Sequence, residues 1–258
     1  MRGLVTAFRT LTSIPLPGRE SRDPSDSLAW FAVVGLFLGM ILWAIASLWR
    51  LMPFAPWPAG VALMMVGAEI WLTGGLHLDG LADWADSLGG LKQREKRLAI
   101  MKDARMGAFG TMALILAVAA KWMAFERLFS FSALIWVLPI LAFSRGMLVE
   151  LIVTLPYARK GEGTARAFVE GASTRDRWVS HLVCLCVSGF YGPFGFAALG
   201  MAWIIQRLFA ARCRSQFGGI TGDLLGTANE LVETGLLILC ALTGEVIMGS
   251  TGWAWIFR

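Results

Sequence analysis

The longest stretches without charge set the tightest limits on this chain. Residues 28–49 give 22 positions and residues 178–206 give 29 with no Asp, Glu, Lys or Arg, and about 20 apolar residues are enough to cross a bilayer as a helix. Backbone polar groups in lipid have to be satisfied within the segment, so each crossing is read as helical. Composition agrees: 57% hydrophobic and 16% charged residues stand against roughly 45–50% and about 25% in soluble domains. An ordinary water-soluble enzyme and a disordered chain are both disfavoured.

Seven crossings are predicted, over 28–49, 57–76, 108–125, 128–155, 178–191, 193–210 and 231–250. The division of 178–210 rests on Gly192-Pro193 with Gly195 close behind, a turn signal inside a run too long for one span. Counting basic residues supports it. Four lie in 1–27, six in 77–107, five in 156–178 and three in 206–229, so these segments hold 18 of the 23. Lysine and arginine gather in cytoplasmic loops, and only a hairpin at 192–193 brings all four segments to one side, with the N-terminus inside.

Arg2, Arg9, Pro15, Pro17 and Arg19 interrupt the first 20 residues, so the start does not read as a cleavable secretory signal. Leu4, Phe8 and Leu11 recur at helical spacing and predict a short interfacial helix. The expected fold is all-α: a polytopic integral membrane helical bundle of about seven transmembrane helices, with an N-terminal interfacial helix, in one domain over 1–258. The net charge of +5 follows from the basic loops and calls for no nucleic acid. Cys184, Cys186, Cys213 and Cys240 include no CxxC pair, and three lie in apolar segments, where cysteine acts as a small hydrophobe rather than a zinc ligand or disulfide partner.

Chemistry is concentrated in Gly74-Gly75-Leu76-His77-Leu78-Asp79-Gly80-Leu81-Ala82-Asp83-Trp84-Ala85-Asp86. On a helix, Asp83 and Asp86 fall about 40° and about 20° to either side of Asp79, which puts three carboxylates on one face. Two ionised carboxylates about 5–6 Å apart repel by roughly 3 kcal/mol at an effective dielectric near 20, so the face calls for a cation. Magnesium fits, because it commonly joins one or two carboxylates to substrate phosphates. The plainer reading is a solvated acidic helix start balanced by Lys92, Arg94, Lys96 and Arg97, with the acids favoured by the helix N-terminus.

A second acidic stretch, Gly218-Gly219-Ile220-Thr221-Gly222-Asp223 followed by Gly226, Asn229, Glu230 and Glu233, opens the last crossing. Asp223 and Glu230 share a helical face. The glycines, Gly222 among them, suit either a phosphate cradle or close helix packing. Between the two stretches, Lys102 and Arg105 offer cations for a diphosphate, or a positive-inside anchor. Arg145, Glu150 and Glu69 lie within crossings, where ionisable groups face protein or a polar cavity. His77 and His181 are acid–base candidates or hydrogen-bonded structural residues.

These motifs resemble the cobalamin synthase family, the adenosylcobinamide-GDP ribazoletransferases. The matching stretches are Leu11-Thr12-Ser13-Ile14-Pro15-Leu16-Pro17, Gly74 to Asp86, Lys102 to Gly110, and Gly218 to Glu233, about a fifth of the chain. The combination HLDGLAD with GGITGDxxGxxNE is specific. Two positions depart from the family pattern: Ala104 stands where it usually has serine, and Thr227 where alanine is commoner.

The resemblance implies an integral membrane enzyme of the inner membrane that joins adenosylcobinamide-GDP to α-ribazole, or to its 5′-phosphate, with release of GMP and a requirement for magnesium. The expected partners are these small molecules and the lipid bilayer, with no nucleic acid, and a homo-oligomer or association with other late corrinoid-pathway enzymes is a further expectation. The expected magnesium ligands are Asp79, Asp83, Asp86, Asp223 and Glu230; Asp79, Asp83 and His77 are the catalytic candidates. Lys102, Arg105, Arg145 and Gly222 are expected to bind substrate, at the cytoplasmic end of the bundle. Competing readings are a CDP-alcohol phosphotransferase, whose DGxxAR pattern is missing, a membrane prenyltransferase, whose N/D-D-x-x-D is missing, and a secondary transporter built on Glu69, Arg145 and Glu150.

Overall fold

The computed structural model describes residues 1–52, 57–90, 93–161 and 163–253. Lys92, invoked above as a counter-charge, lies outside them. The N-terminal helix forms as α1 (Arg2–Leu11), with Val5, Phe8 and Leu11 buried. Its apolar face packs on protein, a short turn over Pro24–Trp30 and then α2 (Phe31–Trp49). Asp23 caps that turn by accepting from the Ser25 amide at 2.9 Å, with Pro24 at the first position, where its missing N–H costs nothing.

Helix α2 lies along α7 (Val137–Thr154), the central and most enclosed helix. Gly35 and Gly39 are why it can: a Cβ on Gly39 would stand 2.7 Å from the Leu138 Cα, and one on Gly35 would collide with the Leu141 carbonyl. Small residues four apart let helix backbones meet in this way where lipid provides no hydrophobic drive.

Helix α3 (Pro58–Thr73) ends at Gly74 and Gly75, whose φ angles of 61° and 70° are left-handed. Two such residues in succession turn the chain by 90° into α4 (Leu76–Ser87). We therefore read α4 as lying across the end of the bundle, outside the crossings. After α5 (Arg94–Ile100) come α6 (Ala108–Ser130), α7, α8 (Arg166–Gly171), α9 (Thr174–Tyr191), α10 (Pro193–Arg212), α11 (Gly222–Thr243) and α12 (Glu245–Gly249). The predicted hairpin is present: Gly192, at φ 71°, separates α9 from α10.

Several sequence boundaries need correction. The predicted 231–250 crossing is instead α11, Gly222–Thr243, which ends at Gly244. Residues 128–155 are broken between Phe131 and Trp136, so α6 runs on to Ser130 and α7 starts afresh. Five helical stretches among the described residues are long and apolar enough to cross a membrane, or six with the bent pair α3–α4 counted as one span. Helix α9 is not among them, because Arg175, Asp176 and Arg177 occupy its first turn. The protein is an all-α, multi-pass membrane bundle.

The four basic segments meet at one end. A Cβ on Gly171 would meet the Ser25 hydroxyl at 2.6 Å, Arg94 donates to the Ala158 carbonyl at 2.9 Å, and the Ile220 amide to the Pro156 carbonyl at 2.9 Å. At the other end, Tyr191 donates to the Ile135 carbonyl and the Gly252 amide to the Tyr191 carbonyl.

Candidate active site

Helices α4 and α11 cross at the end where the basic segments gather. A Cβ on Gly80 would stand 2.5 Å from the Asp223 carbonyl oxygen, and one on Gly226 would be 3.2 Å from the His77 Cα. The glycines thus bring the two acidic stretches into backbone contact, and Thr227 locks the crossing by donating to the Gly80 carbonyl at 2.9 Å. Thr221 starts α11, its hydroxyl accepting from the Leu224 amide, which puts Asp223 in the first turn.

Asp79, Asp83 and Asp223 form one electrostatic group. Burial, reinforced by the charges of Asp223 and Asp79, pushes the Asp83 carboxyl up to about 7. Arg159 answers part of that charge through a 2.6 Å bond to Asp223, and also donates to the Met101 carbonyl. Sequence reasoning missed Arg159, which lies in an irregular loop. It is delivered by the Gly218-Gly219-Ile220 segment, where Ile220 and residues 156–158 exchange backbone hydrogen bonds. Gly218 and Gly219 serve this close approach rather than a phosphate cradle: a Cβ on Gly218 would meet the Arg94 guanidinium at 2.5 Å. Arg94 and Arg97 donate to the carbonyls of Ala158 and Ser87.

Asp79, Asp223, His77, Gly222 and Gly226 line a cavity of about 310 Å³. Asp79 also lines a second, more open cavity of about 780 Å³ beside the Gly74-Gly75 bend. His77 is buried, and among the described residues neither ring nitrogen has a hydrogen-bond partner. A methyl on Gly222 would meet only Thr164 and Ala165, so its backbone is open to the cavity. Lys102 and Arg105 are exposed on the loop that Arg159 touches at Met101. Arg105 folds onto Asp103 at 2.7 Å and holds that carboxyl down at about 2.

Three assignments change. Asp86 accepts from the amides of Gly107 at 2.7 Å and Gly110 at 2.8 Å, so both its oxygens cap the start of α6, a use that leaves it poorly placed as a metal ligand. Glu230 and Arg145 do not line the cavity. They lie deeper, in a buried ion cluster where Lys121 pairs with Glu69 at 2.8 Å, Glu230 at 2.9 Å and Glu233 at 2.5 Å, while Arg145 pairs with Glu233 and Ser144. Arg145 is fully buried and paired with Glu233. Lys121 was missed; its one signal is a lone lysine in an otherwise uncharged run.

The carboxylates of Glu69, Glu230 and Glu233 bring ligand atoms within 4.8 Å of one another, and Lys121 and Arg145 answer two of their three charges. Glu150, the remaining mid-segment acid, is met by His181 at 3.1 Å and by Arg207 at 3.8 Å, which gives His181 the structural partner expected of it. The charges on which a transporter would depend are thus each paired with other side chains.

A family model described as cobalamin-5-phosphate synthase matches residues 3–241. The chain belongs to the cobalamin-5-phosphate synthase family. Curated relatives cover nearly its whole length. One from Chlorobium phaeobacteroides (strain BS1) is 40% identical over 90% of this chain and 94% of its own. One from Chlorobaculum tepidum is 39% identical over 94% and 96%, and one from Syntrophobacter fumaroxidans 36% over 93% and 97%. Each bears the name adenosylcobinamide-GDP ribazoletransferase. No solved structure matches the chain. The family match spans both α4 and α11, so the crossing at Gly80 and Gly226 belongs to the family's matched region.

Proposed function

We propose that this protein joins adenosylcobinamide-GDP to α-ribazole, or to its 5′-phosphate, with release of GMP, and that the reaction requires magnesium. The observation that carries the reading is the electrostatic grouping of Asp83 with Asp79 and Asp223, the latter two lining one cavity, in a chain whose family match runs from 3 to 241. The donor set fits a hard divalent cation. Three carboxylates share a partly enclosed site with Arg159, and one of them, Asp83, is pushed up by burial and then by the charges of the other two.

Asp79, Asp83 and Asp223 would hold the ion. Bound there, magnesium supplies neutralisation of charge on the phosphate oxygens. The chain's own residues do the rest. Arg159 fixes Asp223 and Asp86 fixes the 101–110 loop against α4, so that Lys102 and Arg105 stand at the rim to hold phosphate charge. A ribose hydroxyl forms the new P–O bond as the phosphoanhydride bond to GMP breaks, a displacement governed by positioning. The hydroxyl proton passes to a carboxylate, and Asp79, shared by both cavities, is the one we assign; His77 in the wall is the second candidate.

The gathering of four basic segments at this end supports a cytoplasmic position for the site, on the inner membrane. The test is purified protein in detergent with adenosylcobinamide-GDP and α-ribazole, with and without magnesium. Magnesium-dependent GMP release with formation of the nucleotide loop is expected; absence of product with both substrates and the metal present would refute the reaction.

A further inference from the structure

Two cavities meet at Asp79, and they differ in size and character. The smaller, about 310 Å³, lies between α2, α4, α7, α8 and the start of α11. One wall is apolar, formed by Leu11, Phe31, Leu148, Ile152 and Phe168, with the Phe31 and Phe168 rings 6.3 Å apart and inclined at 54°. The opposite wall carries His77, Asp79 and Asp223. The larger cavity, about 780 Å³, opens beside the Gly74-Gly75 bend and is lined by Arg9, Thr12, Ser13 and Thr73 as well as Leu114 and Val118.

We propose that the smaller cavity seats α-ribazole, its benzimidazole against Phe31 and Phe168 and its ribose toward Asp79 and Asp223, while the corrinoid nucleotide enters through the larger one. This deepens the reaction proposed above and rests on it. A nucleoside with an aromatic base of about 20 non-hydrogen atoms suits a cavity at the small end of the ligand-site range, whereas a corrinoid nucleotide several times larger does not. The apolar wall offers a diphosphate no partners, so the phosphates are confined to the acidic side of the cavity, at Asp79 and Asp223. Flat aromatic rings pack on phenylalanine by offset or edge contact, and the ribose hydroxyl is then presented at the carboxylate shared with the other cavity.

Initial rates are measured on purified Phe168→Ala and Thr164→Phe, varying each substrate at saturating levels of the other. Thr164 is exposed, so the second variant fills the cavity without disturbing the core. In both, the KM for α-ribazole is expected to rise about tenfold or more while that for adenosylcobinamide-GDP stays within about twofold, and Phe168→Tyr to recover the lost contact. Equal rises in both constants, or a rise confined to the corrinoid substrate, overturn the assignment. Calorimetric binding of α-ribazole alone separates this from the reaction itself. If wild type releases no GMP, the proposed function fails, and the cavity stands or falls on whether Thr164→Phe abolishes α-ribazole binding; unchanged binding overturns it.

Discussion

Lys121→Met probes the buried ion cluster, and its cost can be worked from the contacts. Lys121 is 3% exposed and reaches three carboxylates at 2.5 to 2.9 Å. Methionine keeps the length and apolar stem but removes the charge, leaving Glu69, Glu230 and Glu233 with Arg145 alone. Removing one partner of a buried pair costs about 3–5 kcal/mol, because the remaining charge has lost its compensation. That is a large share of a total stability of about 5–15 kcal/mol. At about 2–4 °C per kcal/mol for a chain near this size, the midpoint should fall by about 6–20 °C.

Scans of detergent-solubilised protein at one fixed rate would measure it. Glu230→Gln should cost much less, since carboxylates outnumber cations in the cluster, and the double variant should be less damaged than Lys121→Met alone. A shift under about 2 °C for Lys121→Met, or additive losses in the double variant, would refute the reasoning.

Two further outcomes follow. Asp86→Ala strips two amides of their acceptor at the start of α6 and should cost about 1–2 kcal/mol, read as a lower unfolding midpoint; an unchanged midpoint would return Asp86 to the list of metal ligands. Asp83, raised to about 7 from an ordinary value of 3.8, binds its proton more tightly folded than unfolded. Metal-free protein should therefore lose stability as pH rises from about 4 through about 7. Asp83→Asn should flatten that slope and melt higher than wild type at pH 8 without magnesium; identical pH profiles would contradict it.

Much of this architecture was legible in the residues. The uncharged run at 28–49 gave α2, Gly192-Pro193 gave the hairpin, and the basic segments gave the end at which the acids gather. Asp79, Asp83 and Asp223 converge as the motifs implied. Helical periodicity reports direction around an axis and says nothing about depth: Glu230 shares a face with Asp223 but lies about two turns, roughly 10 Å, further along α11, where Lys121 meets it. Nor does a shared face reveal what stands opposite, so the amides of Gly107 and Gly110 that occupy Asp86 were invisible. The break after Phe131 escaped because apolar residues continue through it, and Arg159 because a loop has no period to read.

The central claim is that α4 and α11 supply one cation site between them. Titrating purified protein with manganese as a magnesium substitute, in the presence of adenosylcobinamide-GDP and monitored by electron paramagnetic resonance, tests it directly. Wild type should bind the ion, and Asp83→Asn and Asp223→Asn should each weaken that binding severely while Glu69→Gln leaves it intact. Binding that survives both aspartate substitutions, or that is lost with Glu69 instead, would contradict the account.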